Sequence, residues 1–304
     1  MKHIKILKLL AAFSALVLMG GQARAQMPDD AIMLGKKQLC AGFTYMHSQW
    51  DHYWEGTLKR DNLNIGTLST QSVMFMGVYG ITNKLNVLAS VPYVWTKASA
   101  GTLHGMKGFQ DLMLDLKWEA ISTKLGKGKL NLFAVGGFST PMSDYEPDFQ
   151  PMSIGMASTN LSGRITADYQ QGIFFATLSG AYVWRSNIKI DRTAYYTTEL
   201  HNTNEVDMPN MLNSNFNIGI RKKNIIAEAV LMNMTSLGGF DIRRNDMPFP
   251  SNKMNTTSVG VHAKYFIPWV TNLELIGGAD HVVAGRNMGQ STTFDIGVYY
   301  IFSL

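Results

Sequence analysis

The sequence predicts an all-β fold: a transmembrane up-and-down antiparallel β-barrel of twelve strands. Three observations carry this expectation. Segments with strict apolar/polar alternation recur along the chain, the connections between them alternate between short and long, and the chain opens with an export signal.

The export signal comes first. Lys2, Lys5 and Lys8 precede an apolar run from Leu9 to Leu18, and Ala23-Arg24-Ala25 offers a small-x-small cleavage site before Gln26. This reads as a secretory signal peptide over 1–25, with 26–304 as the barrel. The leader carries Lys2, Lys5, Lys8 and Arg24 and no acid, so 23 basic residues face 22 acidic ones in the remainder. The high isoelectric point therefore belongs to the leader, and no nucleic-acid partner follows from it. Cys40 is the single cysteine, which excludes an intrachain disulfide framework. Beyond the leader no stretch of 18 apolar residues occurs, which argues against a helical membrane protein.

Twelve strand segments follow in order. The first, 38–50, places Leu39, Ala41, Phe43 and Tyr45 on one parity, and 66–80 is the second. In 84–97 the apolar set is Leu85, Val87, Ala89, Val91, Tyr93 and Trp95. In 109–121, Leu112, Leu114, Leu116, Trp118 and Ala120 alternate with Asp111, Met113, Asp115, Lys117 and Glu119. Leu130, Leu132, Ala134, Gly136 and Phe138 mark 129–140, and 157–170 follows. Phe174, Ala176, Leu178, Tyr182 and Trp184 mark 172–186. Phe216, Ile218 and Ile220 alternate with Asn213, Asn215, Asn217 and Arg221 in 210–222, and 224–236 follows. Val259, Val261, Ala263, Tyr265 and Ile267 alternate with Ser258, His262 and Lys264 in 254–268. After 271–285 the last segment, 291–304, sets Phe294, Ile296, Val298, Tyr300 and Phe302 against Thr293 and Asp295. Each pattern is a strand with one apolar face.

The links decide which face looks outward. After even-numbered segments they are short: "ITN", "STKLGKG", Gln171, Lys223 and "WV". After odd-numbered ones they are mostly long: 51–65, 98–108, 141–156, 187–209 and 237–253, with 286–290 the short exception. Short turns at one end and long loops at the other are the layout of an outer-membrane barrel, whose apolar face meets lipid. A soluble sandwich has no reason to sort its loops this way. Tyr93, Trp95, Trp184, Tyr265, Tyr299 and Tyr300 sit near strand ends, where an aromatic girdle belongs, although aromatics favour strands in general. The expected location is a bacterial outer membrane, with outer-membrane lipid and a small-molecule solute as partners. No seam on the apolar faces sets an oligomeric state.

"GVYGITNKLNVLASVPYV" (77–94) followed by "GFQDLMLDLKWEA" (108–120) resembles the outer-membrane transporter family of the phenol meta-pathway degradation type. The matching places are Tyr79-Gly80-Ile81-Thr82, Pro92-Tyr93 and Gly108-Phe109-Gln110-Asp111; the family's Gly-Leu-Gly-Asp lacks its second glycine here. The resemblance covers about 45 residues. It implies a barrel that passes small, often apolar or aromatic, compounds.

With the apolar parity outward, Asp111, Asp115, Lys117, Glu119, Arg164, Asp168, Glu228, His262, Lys264, Glu274, Asp280 and Asp295 point into the lumen. There they form either a selective constriction or a salt-bridged plug that only stabilises the barrel. In the first long loop Trp50, His52 and Trp54 offer ring area for a ligand, or simply continue the girdle. The 187–209 loop is long enough for a small hairpin over the mouth. Nineteen methionines raise a soft-metal role, but no spacing repeats like a metal site and methionine is a flexible apolar filler, so neither a metal nor a cofactor is expected. A membrane-embedded lipid hydrolase needs a nucleophile tied to a histidine. His281 has the outward parity, but no Ser motif accompanies it, and the expectation is a non-enzyme.

Overall fold

The computed structural model describes residues 27–244 and 246–304; the expected signal peptide lies outside the described residues. Twelve long strands form the wall. They are β1 Gln38–Trp50, β2 Leu68–Thr82, β3 Leu85–Ala98, β4 Asp111–Leu125, β5 Gly128–Pro141 and β6 Asn160–Gln171. The second half is β7 Phe174–Arg185, β8 Met211–Lys222, β9 Ile225–Ser236, β10 Asn255–Phe266, β11 Leu273–Arg286 and β12 Thr292–Ser303. Every strand pairs antiparallel with its sequence neighbours. β12 returns to β1 from Gln38↔Ser303 to Gln49↔Thr292 and closes the barrel. Closure removes the sheet edges and satisfies the backbone polar groups without water, as a wall in lipid requires.

The alternation in the sequence becomes an outside and an inside. Ile165 is 71% exposed, Ile296 63% and Val261 62%, whereas Lys117, Asp168 and Glu274 are 0% exposed. Leu114, Leu116 and Trp118 of β4 are among the exposed apolar residues, while Lys117 between them is buried. A large exposed apolar surface wrapped around buried charge reverses a soluble protein and suits a hydrocarbon surround.

The turn between β4 and β5 is tighter than the sequence predicts. β4 and β5 extend through most of "STKLGKG" and leave only Gly126 and Lys127 between paired Leu125 and Gly128. Gly126 (φ 58°) supplies the left-handed conformation that a two-residue hairpin needs, as Gly172 (φ 61°) does between β6 and β7. Bulges fall between Gly80 and Thr82, Glu119 and Ile121, and Thr257 and Ser258. β3 pairs with β4 only from Leu85↔Trp118 to Ser90↔Met113; farther on, Tyr93–Trp95 pairs with Lys107–Phe109 instead. Pro92, which has no N–H to offer, sits at the changeover.

At the long-loop end, 187–209 forms the expected hairpin: Ile188–Lys189 pairs with Glu205–Val206, and Tyr195–Tyr196 with Leu200–His201. Its apolar side joins Phe249 of the next long loop in one cluster with Ile188, Ile190, Tyr195, Val206 and Met208. Arg286 forks onto Asp241 (Nε–Oδ1 2.7 Å, Nη2–Oδ2 2.6 Å) and fixes that loop to the wall. These hydrogen bonds lower the Asp241 carboxyl to about 2.

Candidate functional site

The lumen is occupied at its short-turn end by residues 27–37, which precede β1. Leu34 is buried among Cys40, Met76, Val78, Leu88, Ile276, Tyr299 and Ile301. Ile32 packs on Phe175 and Ile226. The segment enters past Gly80, where Lys37 N–H donates to the Gly80 carbonyl (2.8 Å). A Cβ at Gly80 would overlap the Gly35 carbonyl oxygen, so the close approach requires glycine.

Asp30 is the centre of this arrangement. Lys117 Nζ of β4 donates to its Oδ1 (2.7 Å) and Lys264 Nζ of β10 to its Oδ2 (2.8 Å). Its own chain donates too, from Met27 N (2.9 Å) and Ile32 N (3.0 Å). Lys117 also donates to the Met27 carbonyl (2.9 Å), and Asn215 Nδ2 to Asp29 Oδ2 (2.8 Å). Burial alone would raise the Asp30 carboxyl; the two lysines outweigh it and hold it well below the usual carboxylate range.

A second segment narrows the lumen from the long-loop end. In the loop after β5, Met152 is 0% and Ile154 4% exposed. Tyr145 donates to Asp111 Oδ1 (2.7 Å), and Thr96 Oγ1 to the Met152 carbonyl (2.7 Å). Between Ile154 and the tip of the N-terminal segment lies a cavity of about 530 Å³. Met27, Met46, Met74, Met113 and Met232 line it together with Val94, Val230 and Ile276. Its charged margin is Asp29, Asp30, Glu228, His262, Lys264, Asp280 and Asp295.

The lumen residues named from sequence thus divide by task. Lys117 and Lys264 hold the N-terminal segment, and Asp111 holds the inward loop. Glu228, His262, Lys264 and Asp295 border the cavity; Glu228 accepts from Asn217 Nδ2 (3.1 Å). Arg164 donates to Ser179 Oγ (2.9 Å). Asp168 accepts from Thr177 (2.7 Å) and faces Arg221, which lies 4.2 Å from the Phe175 ring centroid. Glu274 is fully buried near the N-terminal segment's end, while Asp115 and Glu119 are half-buried on β4. Sequence reasoning missed Asp29 and Asp30. The available signal was a pair of acids among Met27, Ile32, Met33 and Leu34 in a stretch with no strand to belong to.

In the first long loop the structure places the two tryptophans against the wall. Trp54 is 8% exposed, its ring laid on Gly285 of β11, where any Cβ would overlap it. Trp50 lies over Gly289, near Tyr53. Both rings seat the His52–Glu55/Leu58–Asp61 hairpin on the wall, which leaves them little face for a ligand. His52 is exposed and bridges Asp51 (2.6 Å) and Asp61 (3.1 Å). His281, on the outer face, contacts Thr292 Oγ1 (2.9 Å) and Gln290 (3.3 Å), so the hydroxyl beside it is a threonine and the group on its far nitrogen an amide.

No protein-family profile and no curated protein matches the chain. Among solved structures, the COG4313 outer membrane channel from Pseudomonas putida F1 is similar, with a TM-score of 0.72 at 16% identity over 91% of this chain and 100% of that one. The KdgM porin (TM-score 0.43, 10% identity, 86% and 99% covered) and the NanC porin (0.46, 7%, 84% and 98%) are more distant barrels. At 16% identity the likeness to the COG4313 channel is one of fold: a closed twelve-strand antiparallel barrel.

Proposed function

We propose that this protein is a channel of the bacterial outer membrane that admits small, largely apolar molecules to its lumen. Residues 27–37 then form a gate at the periplasmic end and the long loops face outward. The observation that carries the reading is the methionine-lined cavity of about 530 Å³ closed below by a segment that is joined to the wall through β1 and otherwise held by ion pairs and apolar contacts. Thioethers and aliphatic groups present a deformable apolar surface, which accepts varied ligand shapes. The exposed apolar belt supports the lipid setting, and the secretory signal read over 1–25 supports export. The resemblance of 77–120 to transporters of the phenol meta-pathway type supports aromatic compounds as one substrate group.

Reconstituted barrels test this. Liposomes carrying the protein should take up a labelled apolar aromatic faster than empty ones, and a variant lacking 27–34 should conduct ions in planar bilayers. A purified barrel that raises neither uptake nor conductance, with and without 27–34, leaves a non-conducting structural barrel as the better account.

A further inference from the structure

One row of the wall lies in register across five strands: Met46 of β1, Asp295 of β12, Gly278 of β11, His262 of β10 and Glu228 of β9. Side chains on a row of adjacent strands stand about 5 Å apart. Asp295 and His262 are two strands apart and should not meet, but the residue between them is a glycine. A Cβ on Gly278 would lie 2.5 Å from Asp295 Oδ1 and 2.6 Å from His262 Cδ2, so both side chains lean into the space it leaves. Asp280, two residues along β11, leans the same way over a second glycine: a Cβ on Gly260 would overlap its Oδ1. Two missing side chains thus make a cradle, and into it come one imidazole nitrogen and two carboxylates.

We propose that His262, Asp280 and Asp295 bind one divalent transition-metal cation of the Zn²⁺ class in the lumen wall, with open coordination positions facing the cavity. A donor atom from each residue lies within 4.8 Å of the other two. Zinc at about 2.1 Å from each ligand needs tetrahedral donors about 3.4 Å apart, so side-chain rotations alone close the set. His262 Nε2 is already 3.1 Å from both Asp280 oxygens. One N–H shared between two oxygens is directed at neither, whereas a cation between nitrogen and carboxylate uses all three atoms. Two carboxylates facing each other also repel, and a dication removes that repulsion. The mixed imidazole–carboxylate set selects a borderline transition metal over Mg²⁺ or Ca²⁺, which favour all-oxygen shells. The His262 and Asp280 side chains are 31% and 20% exposed, so the site opens to the lumen. Met46, in register beside Asp295, adds a thioether neighbour. A cation held there can take an oxygen or nitrogen end of an entering molecule in its open positions.

The site is independent of transport, and binding alone tests it. Untagged, chelator-stripped barrel in detergent is titrated with Zn²⁺ by calorimetry, and Co²⁺ is followed by its visible absorption. The expected result is one saturable equivalent with no competition from Mg²⁺ or Ca²⁺. His262→Gln and Asp295→Asn should each weaken it by about tenfold or more. Heat-modifiable migration on a gel confirms that each variant is folded, and either variant suffices if the other fails. No saturable binding in the parent protein overturns the proposal. So does binding of the same strength in both folded variants, which assigns the metal to surface groups such as His47, His52 or His281.

Discussion

Asp30→Ala is the most informative single change. The carboxylate is shared by two ammonium groups, Lys117 Nζ at 2.7 Å and Lys264 Nζ at 2.8 Å, whose side chains are 0% and 9% exposed. Removing one partner of a buried ion pair costs about 3–5 kcal/mol. At about 1.4 kcal/mol per tenfold, that shifts the in/out equilibrium of the segment by roughly two to three and a half powers of ten. The apolar anchors that remain, Ile32 and Leu34, supply about 1.5–3 kcal/mol each. Ordering the backbone costs about 1–2 kcal/mol for every residue fixed, so the stretch from Met27 to Ala31 has little left to hold it. Leu34, close to the start of β1, keeps its place. Conductance in planar bilayers is the assay, with the variant lacking 27–34 as the open reference. Asp30→Ala should approach that reference, while heat-modifiable migration shows the wall intact. If the reference conducts and Asp30→Ala remains as closed as the parent, the two lysines do not hold the gate, and the apolar bed of Leu34 does.

Other expectations follow from the same contacts. Gly80→Val should raise conductance with the barrel folded, because the new side chain overlaps the Gly35 carbonyl and displaces the segment. Leu34→Ala should cost about 2–5 kcal/mol of segment docking, read as increased open time in single-channel records. A depressed carboxyl stabilises the docked state fully above its free value near 3.9 and loses this only as pH falls through the docked value. Asp30 is depressed, so the gate should stay as closed at pH 5 as at pH 7 and loosen only in stronger acid; an opening near pH 5 would assign the control to another group. Trp54→Ala removes the ring that covers Gly285 and should speed proteolysis within 51–67 while leaving conductance unchanged.

The wall was legible in the sequence because its signal is local. A period of two over a dozen residues states both the strand and its face, and Leu114, Leu116 and Trp118 did turn outward around Lys117. Loop lengths then fixed which face meets lipid. The turn at Gly126 is not legible from alternation, because the bulge between Glu119 and Ile121 switches the outward parity of β4 from Leu116 and Trp118 to Ile121 and Leu125, and the pattern ends at the switch.

The lumen was legible only in part, for a different reason. Parity says that Lys117 and Lys264 point inward, but not what they meet, and their partner Asp30 lies 87 and 234 residues away in a stretch too short for any period. The cradle shows the same limit from another side. His262, Asp280 and Asp295 were all read as inward, yet alternation along one strand carries no information about its neighbour's register. That register is set where β10 turns into β11: with Phe266 opposite Glu274, Gly278 falls opposite His262. One residue more or less in the 267–272 turn would bring Gly277 or Ala279 opposite His262, turn Asp280 to the outer face and separate the three donors. The glycines at 260 and 278 weaken two strands for no gain in wall packing. Their positions make sense once the side chains leaning over them are counted, and a site in the lumen wall accounts for both.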